Sequence, residues 1–186
     1  MTATKLRREA PGRARAEVVD DPLADLHRAE YAPLVRLATV VLGDVGLAEQ
    51  VVQDAFVRLA LRWRGLRGLD NPAAYLRSAV LNGCRSVLRH HRVRDRHDAR
   101  LAVAPGPFPV AGVAPEPAAL AGEHRDEVVA ALRRLPLRQR EALVLRYYLD
   151  LPEAEMATAM GVSPGSVKTH LHRGLAALAR LLEDVR

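Results

Sequence analysis

Cysteine occurs once, at Cys84, so no disulfide can close within the chain and no multi-cysteine zinc site can be built. A reducing cytoplasm suits such a chain. Aromatic residues make up only 4% of the sequence, and Leu, Ala and Val dominate instead. That balance favours helical, aliphatic cores over β-sandwich ones. No apolar run is long enough to span a bilayer, so membrane insertion is not expected. Arg7 and Arg8 stand near the start, but the following EAPGRARAEVVDDP has no apolar centre, which excludes both Sec and twin-arginine export signals. Also missing are a Gly-rich phosphate loop, a paired-carboxylate motif and a nucleophile elbow. Neither a catalytic residue nor a cofactor is expected.

What remains is substantial. The chain has 186 residues, 49% of them hydrophobic, and a formal charge of +6. It can bury real cores, and its positive balance suits nucleic acid, an anionic membrane or an acidic protein. The composition shifts at about Leu101, where LAVAPGPFPVAGVAPEPAALAG holds five prolines and no lysine or arginine. Proline removes backbone donors and disfavours helix before it, so residues 101–123 are expected to be a flexible linker. Roughly 25 such residues reach about 80 Å when fully extended. The division this predicts is a disordered basic tail over 1–21, a helical block over 22–100, the linker, and a second helical block over 124–186.

In the first block Leu34, Leu37, Ala38, Val41 and Leu42 keep a helical period that stops at Gly43. In LAEQVVQDAFVRLALRW, residues Ala48, Val51, Val52, Ala55, Phe56, Leu59 and Trp63 share one face. The other face carries Gln50, Gln53, Asp54 and Arg58, but also Val57 and Leu61. Two aliphatics on a wet side read either as scattered surface apolars, as a contact with a neighbouring helix, or as a docking face for another protein. In NPAAYLRSAVLNGCRSVLRHHRVR, Asn71 is a suitable N-cap and Pro72 a suitable first residue. Leu76, Val80, Gly83, Cys84 and Val87 share one side of that helix, while Arg77, Arg85, Arg89, Arg92 and Arg96 cluster opposite. Those arginines span about 30 Å of helix. No acid stands between Asp70 and Asp95 to pair with them, so the face is expected to track phosphates.

In the second block Leu132, Leu135, Leu143, Val144 and Tyr147 begin a core, and LPEAEMATAMGVSPGSVKTHLHRGL follows. Ala157 is small where two helices would cross, Gly161 suits a left-handed turn, and Met156, Met160, Val162, Val167 and Leu171 would hold the pair together. Ser163 caps the second helix and Pro164 starts it. This is a helix-turn-helix. Its leading turns present Gly165, Ser166, Lys168, Thr169, His172 and Arg173 to a major groove, where amines, guanidinium and hydroxyls meet phosphates and base edges. His170 and His172 are two residues apart and point to different sides of the helix, so no metal site is expected. Cys84 lies on an apolar face and reads as core.

The two blocks together resemble a bacterial RNA polymerase sigma factor of the small extracytoplasmic-function (ECF) type. AEQVVQDAFVRLALRW is similar to the core-binding helix of region two, NPAAYLRSAVLNGCRSVLRHHR to its promoter-melting helix, and LPLRQREALVLRYYLDLPEAEMATAMGVSPGSVKTHLHRGL to region four. The resemblance implies an all-α fold of two small helical domains. It implies that Gln50, Gln53, Asp54, Val57, Arg58 and Leu61 dock on the clamp helices of the polymerase β′ subunit. It further implies that Arg64, Arg67, Asp70, Asn71, Arg77, Asn82, Arg85 and Arg89 capture the minus-ten element. Gly165, Ser166, Lys168, Thr169, His172 and Arg173 would then read the minus-thirty-five element, with the β flap nearby. An anti-sigma partner, a monomeric free state and a cytoplasmic, nucleoid-associated location follow from the same resemblance. His170 stands where many relatives carry arginine, and GLAALARLL after Arg173 is less basic than usual, which points to a modest or shifted minus-thirty-five affinity. Two other readings remain open at this point: a dimeric helix-turn-helix regulator that binds a palindrome without polymerase, and a nucleoid protein that coats DNA by charge.

Overall fold

The computed structural model describes residues 21–63, 70–98 and 119–184. The expected tail and most of the expected linker lie outside them. The described residues form seven α-helices: α1 (Pro22–Leu42), α2 (Val45–Trp63), α3 (Pro72–Asp98), α4 (Ala119–Arg134), α5 (Leu137–Tyr147), α6 (Glu153–Met160) and α7 (Pro164–Glu183). Helix α4 starts at Ala119, inside the stretch read as linker. The last proline of that stretch is Pro117, and the Ala-rich run after it has nothing to oppose a helix.

Local chemistry sets the ends. Asp21 accepts from the Leu23 backbone N–H at 3.1 Å, Asp44 from that of Leu47 at 2.8 Å, and Asn71 from that of Ala74 at 2.9 Å. Each such cap stabilises its helix by about 1 kcal/mol. Gly43 ends α1 at φ 84°, and its N–H donates to the Thr39 carbonyl. Gly161 ends α6 at φ 66°. Both are left-handed conformations in which a Cβ is strained.

Helices α1, α2 and α3 pack on one another through Leu34, Leu37, Ala38, Val41, Ala48, Val52, Ala55, Leu59, Leu76, Val80, Leu81 and Cys84, all buried. Gly83 lets α2 and α3 close up. A Cβ there would stand 2.6 Å from Cγ1 of Val51, nearer than two carbons can approach. In the second block α5, α6 and α7 enclose Ala142, Leu145, Met156, Met160 and Val167. Tyr147, expected in that core, is 66% exposed. It lies instead on an apolar groove shared with Val128, Tyr148 and Leu175.

The two blocks do not stand apart. Helix α3 packs on α6, and α1 packs on α4 and α5, so that one continuous set of buried residues runs through both. Arg140 of α5 ties this junction, donating to the carbonyls of Leu132, Arg133 and Leu135 in and just after α4 and of Val41 at the end of α1. Burial pushes its guanidinium pKa below the ordinary value, with Arg133 adding repulsion. Arg36 of α1 likewise donates to the Tyr148 hydroxyl.

Candidate polymerase and promoter interface

The outer face of α2 is open along its length. Gln50, Gln53, Asp54 and Arg58 are exposed, Val57 is 57% exposed and Leu61 72%. Among the described residues none of the six is covered by a neighbouring helix, so Val57 and Leu61 are not contacts between the described helices. Two aliphatics amid polar groups on an open helix face leave apolar surface in solvent, as an interaction surface would.

Helix α3 behaves differently from its sequence pattern. Arg64 and Arg67 lie outside the described residues. Asp70 and Asn71 are exposed at the start of the helix, and Asn82 and Arg89 are exposed further along it. Arg77 and Arg85, expected on an open basic face, are largely covered, with side chains 15% and 17% accessible. Acids supplied by other helices meet them. Arg77 pairs with Glu30 of α1 at 3.3 Å and with Glu155 of α6 at 2.8 Å. Arg85 forms a fork-to-fork pair with Glu141 of α5, Nε to Oε1 and Nη2 to Oε2, both at 2.8 Å, while its Nη1 donates to Asn82 at 2.8 Å. Glu141 is fully buried and also accepts from Arg138 at 3.2 Å. Glu30, Glu141, Glu155 and Arg138 were not singled out from sequence. Glu141 alone left a sign there: it sits four residues from both Leu137 and Leu145, on an apolar stripe where an acid needs a partner.

The helix-turn-helix of α6 and α7 has the expected form. Met156, Ala157, Met160 and Val167 are buried, with Val162 and Leu171 half-buried. Ser163 accepts from the Ser166 N–H at 3.2 Å. Gly165, Lys168, Thr169, His172 and Arg173 are exposed and Ser166 half-buried. Lys168 reaches Glu153 at 3.6 Å, with both side chains in solvent. Gly174 brings α7 onto α5; a Cβ there would lie 3.2 Å from Leu143 and 3.3 Å from Gln139. Among the described residues no helix is long and apolar enough to cross a membrane, and no cluster of His, Cys, Asp and Glu has the form of a metal site.

Two separate stretches of the chain, one holding α2 and α3 and one holding α7, match known families. Residues 26–94 match sigma-70 region 2, and residues 125–178 match sigma-70 region 4. The chain belongs to the ECF-type RNA polymerase sigma factors. It is 30% identical over 159 residues to the RNA polymerase sigma-E factor of Streptomyces avermitilis, covering 84% of this chain and 83% of the relative. It is 26% identical over 170 residues to the ECF RNA polymerase sigma factor SigW of Bacillus subtilis, covering 89% and 91%. The fold is shared with the sigma factor RpoE of Bartonella quintana, solved in complex with the anti-sigma factor NepR, at a TM-score of 0.66 and 20% identity over 89% of this chain and 99% of that one. It is also shared with CnrH, solved with the cytosolic domain of CnrY, at a TM-score of 0.59 and 21% identity over 87% and 88%. The sigma factor is all-α where described and directs promoter-specific transcription initiation. A stand-alone helix-turn-helix regulator would have matched only its C-terminal part.

Proposed function

We propose that this sigma factor seats itself on the β′ clamp helices of core polymerase through Gln50, Gln53, Asp54, Val57, Arg58 and Leu61. The observation that carries this reading is the exposure of Val57 and Leu61 on a helix whose other face packs into the core. In the same scheme Arg64, Arg67, Asp70, Asn71, Arg77, Asn82, Arg85 and Arg89 hold the minus-ten element. A basic track and a pocket for an unstacked base offset the stacking lost on melting. The exposed turn of α7, with Lys168, Thr169, His172 and Arg173, reads the minus-thirty-five element, and the β flap lies against the second block. The segment between α3 and α4, residues 99–118, tethers the two. The protein acts by binding and not by catalysis, as a monomer in the cytoplasm that joins the nucleoid within holoenzyme. An anti-sigma factor restrains it, a reading supported by the structural relative solved with the anti-sigma factor NepR.

The test is transcription from a supercoiled library of host promoters by core polymerase with and without the protein. A defined set of new start sites is expected. Transcripts no different from those of core alone would reject the assignment.

A further inference from the structure

We propose that Glu153 is an affinity-limiting residue of the minus-thirty-five surface: its carboxylate stands against Lys168 and withholds charge from DNA phosphates, so that base contacts decide which duplex the helix-turn-helix keeps. The inference rests on the reading of α7 as the minus-thirty-five helix. Glu153 is the first residue of α6, and its Oε2 lies 3.6 Å from Nζ of Lys168 in the leading turns of α7. The two side chains are 43% and 69% accessible, so both remain open to a duplex laid against α7.

Of the residues assigned to that surface, only Lys168 and Arg173 carry a fixed positive charge. Phosphate attraction depends on such charges, is the same for every sequence, and supplies most of non-specific binding. A carboxylate beside one of the two cancels a large share of it. Lys168 is also a compact charge on a flexible stem, which follows the local field more readily than the planar fork of an arginine would.

The start of α6 supplies a second observation. Pro152 stands at its N-cap and makes no side-chain cap, so the partial positive charge of the helix end is available to an anion. In a helix-turn-helix the first helix crosses the DNA backbone, and a phosphate would ordinarily settle at such an end. Glu153 puts a fixed negative charge there instead. Glu155, the other acid of that turn, is directed away to Arg77, which leaves Glu153 as the one paired with the recognition helix.

The test uses holoenzyme rebuilt with each variant, titrated over a salt series with a promoter fragment from a mapped start site and with the same fragment scrambled upstream. Glu153→Gln is expected to tighten both fragments by the same factor, about tenfold at about 0.1 M salt, and to steepen the salt slope by about 1. The gain should fade as salt approaches about 1 M. Glu153→Asp should behave as the unaltered chain. Glu153→Gln with Lys168→Ala should return the slope to nearly its original value, since one charge of each sign is gone. Unchanged affinity and slope overturn the proposal, as does weaker binding, which would make Glu153 a support for Lys168. So does a loss confined to one base pair, the mark of a base reader, or a change in unfolding alone, the mark of a helix-start acid. The underlying reading fails separately. If Lys168→Ala and Arg173→Gln also leave both affinities unchanged, α7 is not the DNA surface; if they weaken binding and Glu153→Gln does nothing, only the role of Glu153 falls.

Discussion

The Arg85 guanidinium and the Glu141 carboxylate face each other as two planar forks, joined by two hydrogen bonds of 2.8 Å, although 56 residues separate them in the chain. Glu141 is wholly removed from solvent, and Arg85 retains 17% of its side-chain accessibility. A buried ion pair adds little net stability over an apolar pair of equal volume, but it fixes one arrangement among many, since either charge alone is penalised by several kcal/mol, roughly 3–5 where burial is complete. Here it fixes how the two halves of a promoter-binding protein face one another.

The polymerase seat can be tested without touching the core. Val57→Glu with Leu61→Glu alters positions that are 57% and 72% exposed, so unfolding free energy should change by no more than about 0.5 kcal/mol per site. Core binding should fall at least about a hundredfold, the effect of placing two unpaired charges in an interface centre. Retained core affinity in a folded double variant would remove the seat from α2.

Lys168 and Thr169 should fail in different ways within holoenzyme. Lys168 is an exposed cation; Lys168→Ala should weaken minus-thirty-five binding alike on all sequences and lower the salt slope by about 1. The Thr169 hydroxyl donates to the Gly165 carbonyl at 3.0 Å and can still accept from a base. Thr169→Val should leave the salt slope intact and cost about 1–3 kcal/mol at one base position only. Binding titrations over a salt series on single-base variants separate the two outcomes, and a uniform loss for Thr169→Val would displace it from base reading.

Gly83→Ala should destabilise despite alanine's helix preference. The added Cβ meets Val51 Cγ1 at 2.6 Å, and a β-branched valine in a helix has almost no other rotamer to adopt. Overpacking costs about 1–3 kcal/mol, against a gain of about 1 kcal/mol from replacing glycine, so a net loss of up to about 2 kcal/mol is expected. Val51→Ala in the same chain should recover most of the clash term. Urea unfolding of the two single variants and the double gives the coupling, and an additive cycle would show that Val51 is not the obstacle.

The Cys84 thiol should titrate late. Burial pushes its pKa from 9.0 up to about 12, with the Glu141 charge adding to the rise. The folded state therefore holds the proton more tightly than the unfolded chain. This stabilisation is complete below about pH 9 and is lost as pH climbs from there towards 12. Over that window unfolding free energy should drop more steeply for the natural chain than for Cys84→Ala. At about pH 8 the native thiol should resist a disulfide reagent that reacts at once in urea; equal rates in both states would contradict the burial.

Much of this could be read from the sequence because it is local. The caps at Asn71 and Ser163, the turn at Gly161, and the two faces of α2 depend on residues within one or two turns, where periodicity and cap chemistry decide the outcome. Arg77 and Arg85 show where that ends. Their own helix has no acid to offer, so they looked solvent-facing; the acids arrive from α1, α5 and α6, and only tertiary packing brings them there. Tyr147 failed in the opposite direction. It is in phase with Leu143, yet it lies where the apolar groove opens. Ala119 entered a helix because proline rules mark where a helix cannot be, and fall silent once the prolines end.

The contact between Gly83 and Val51 leaves no slack between α2, the proposed polymerase seat, and α3, the proposed minus-ten helix. Sliding one along the other would drive a methyl group into a backbone, so the two must turn as a wedge. If the proposed seat on α2 is the anchor, it thereby also aims α3, and a tilt of a few degrees at the anchor becomes a displacement at the far end of a 27-residue lever.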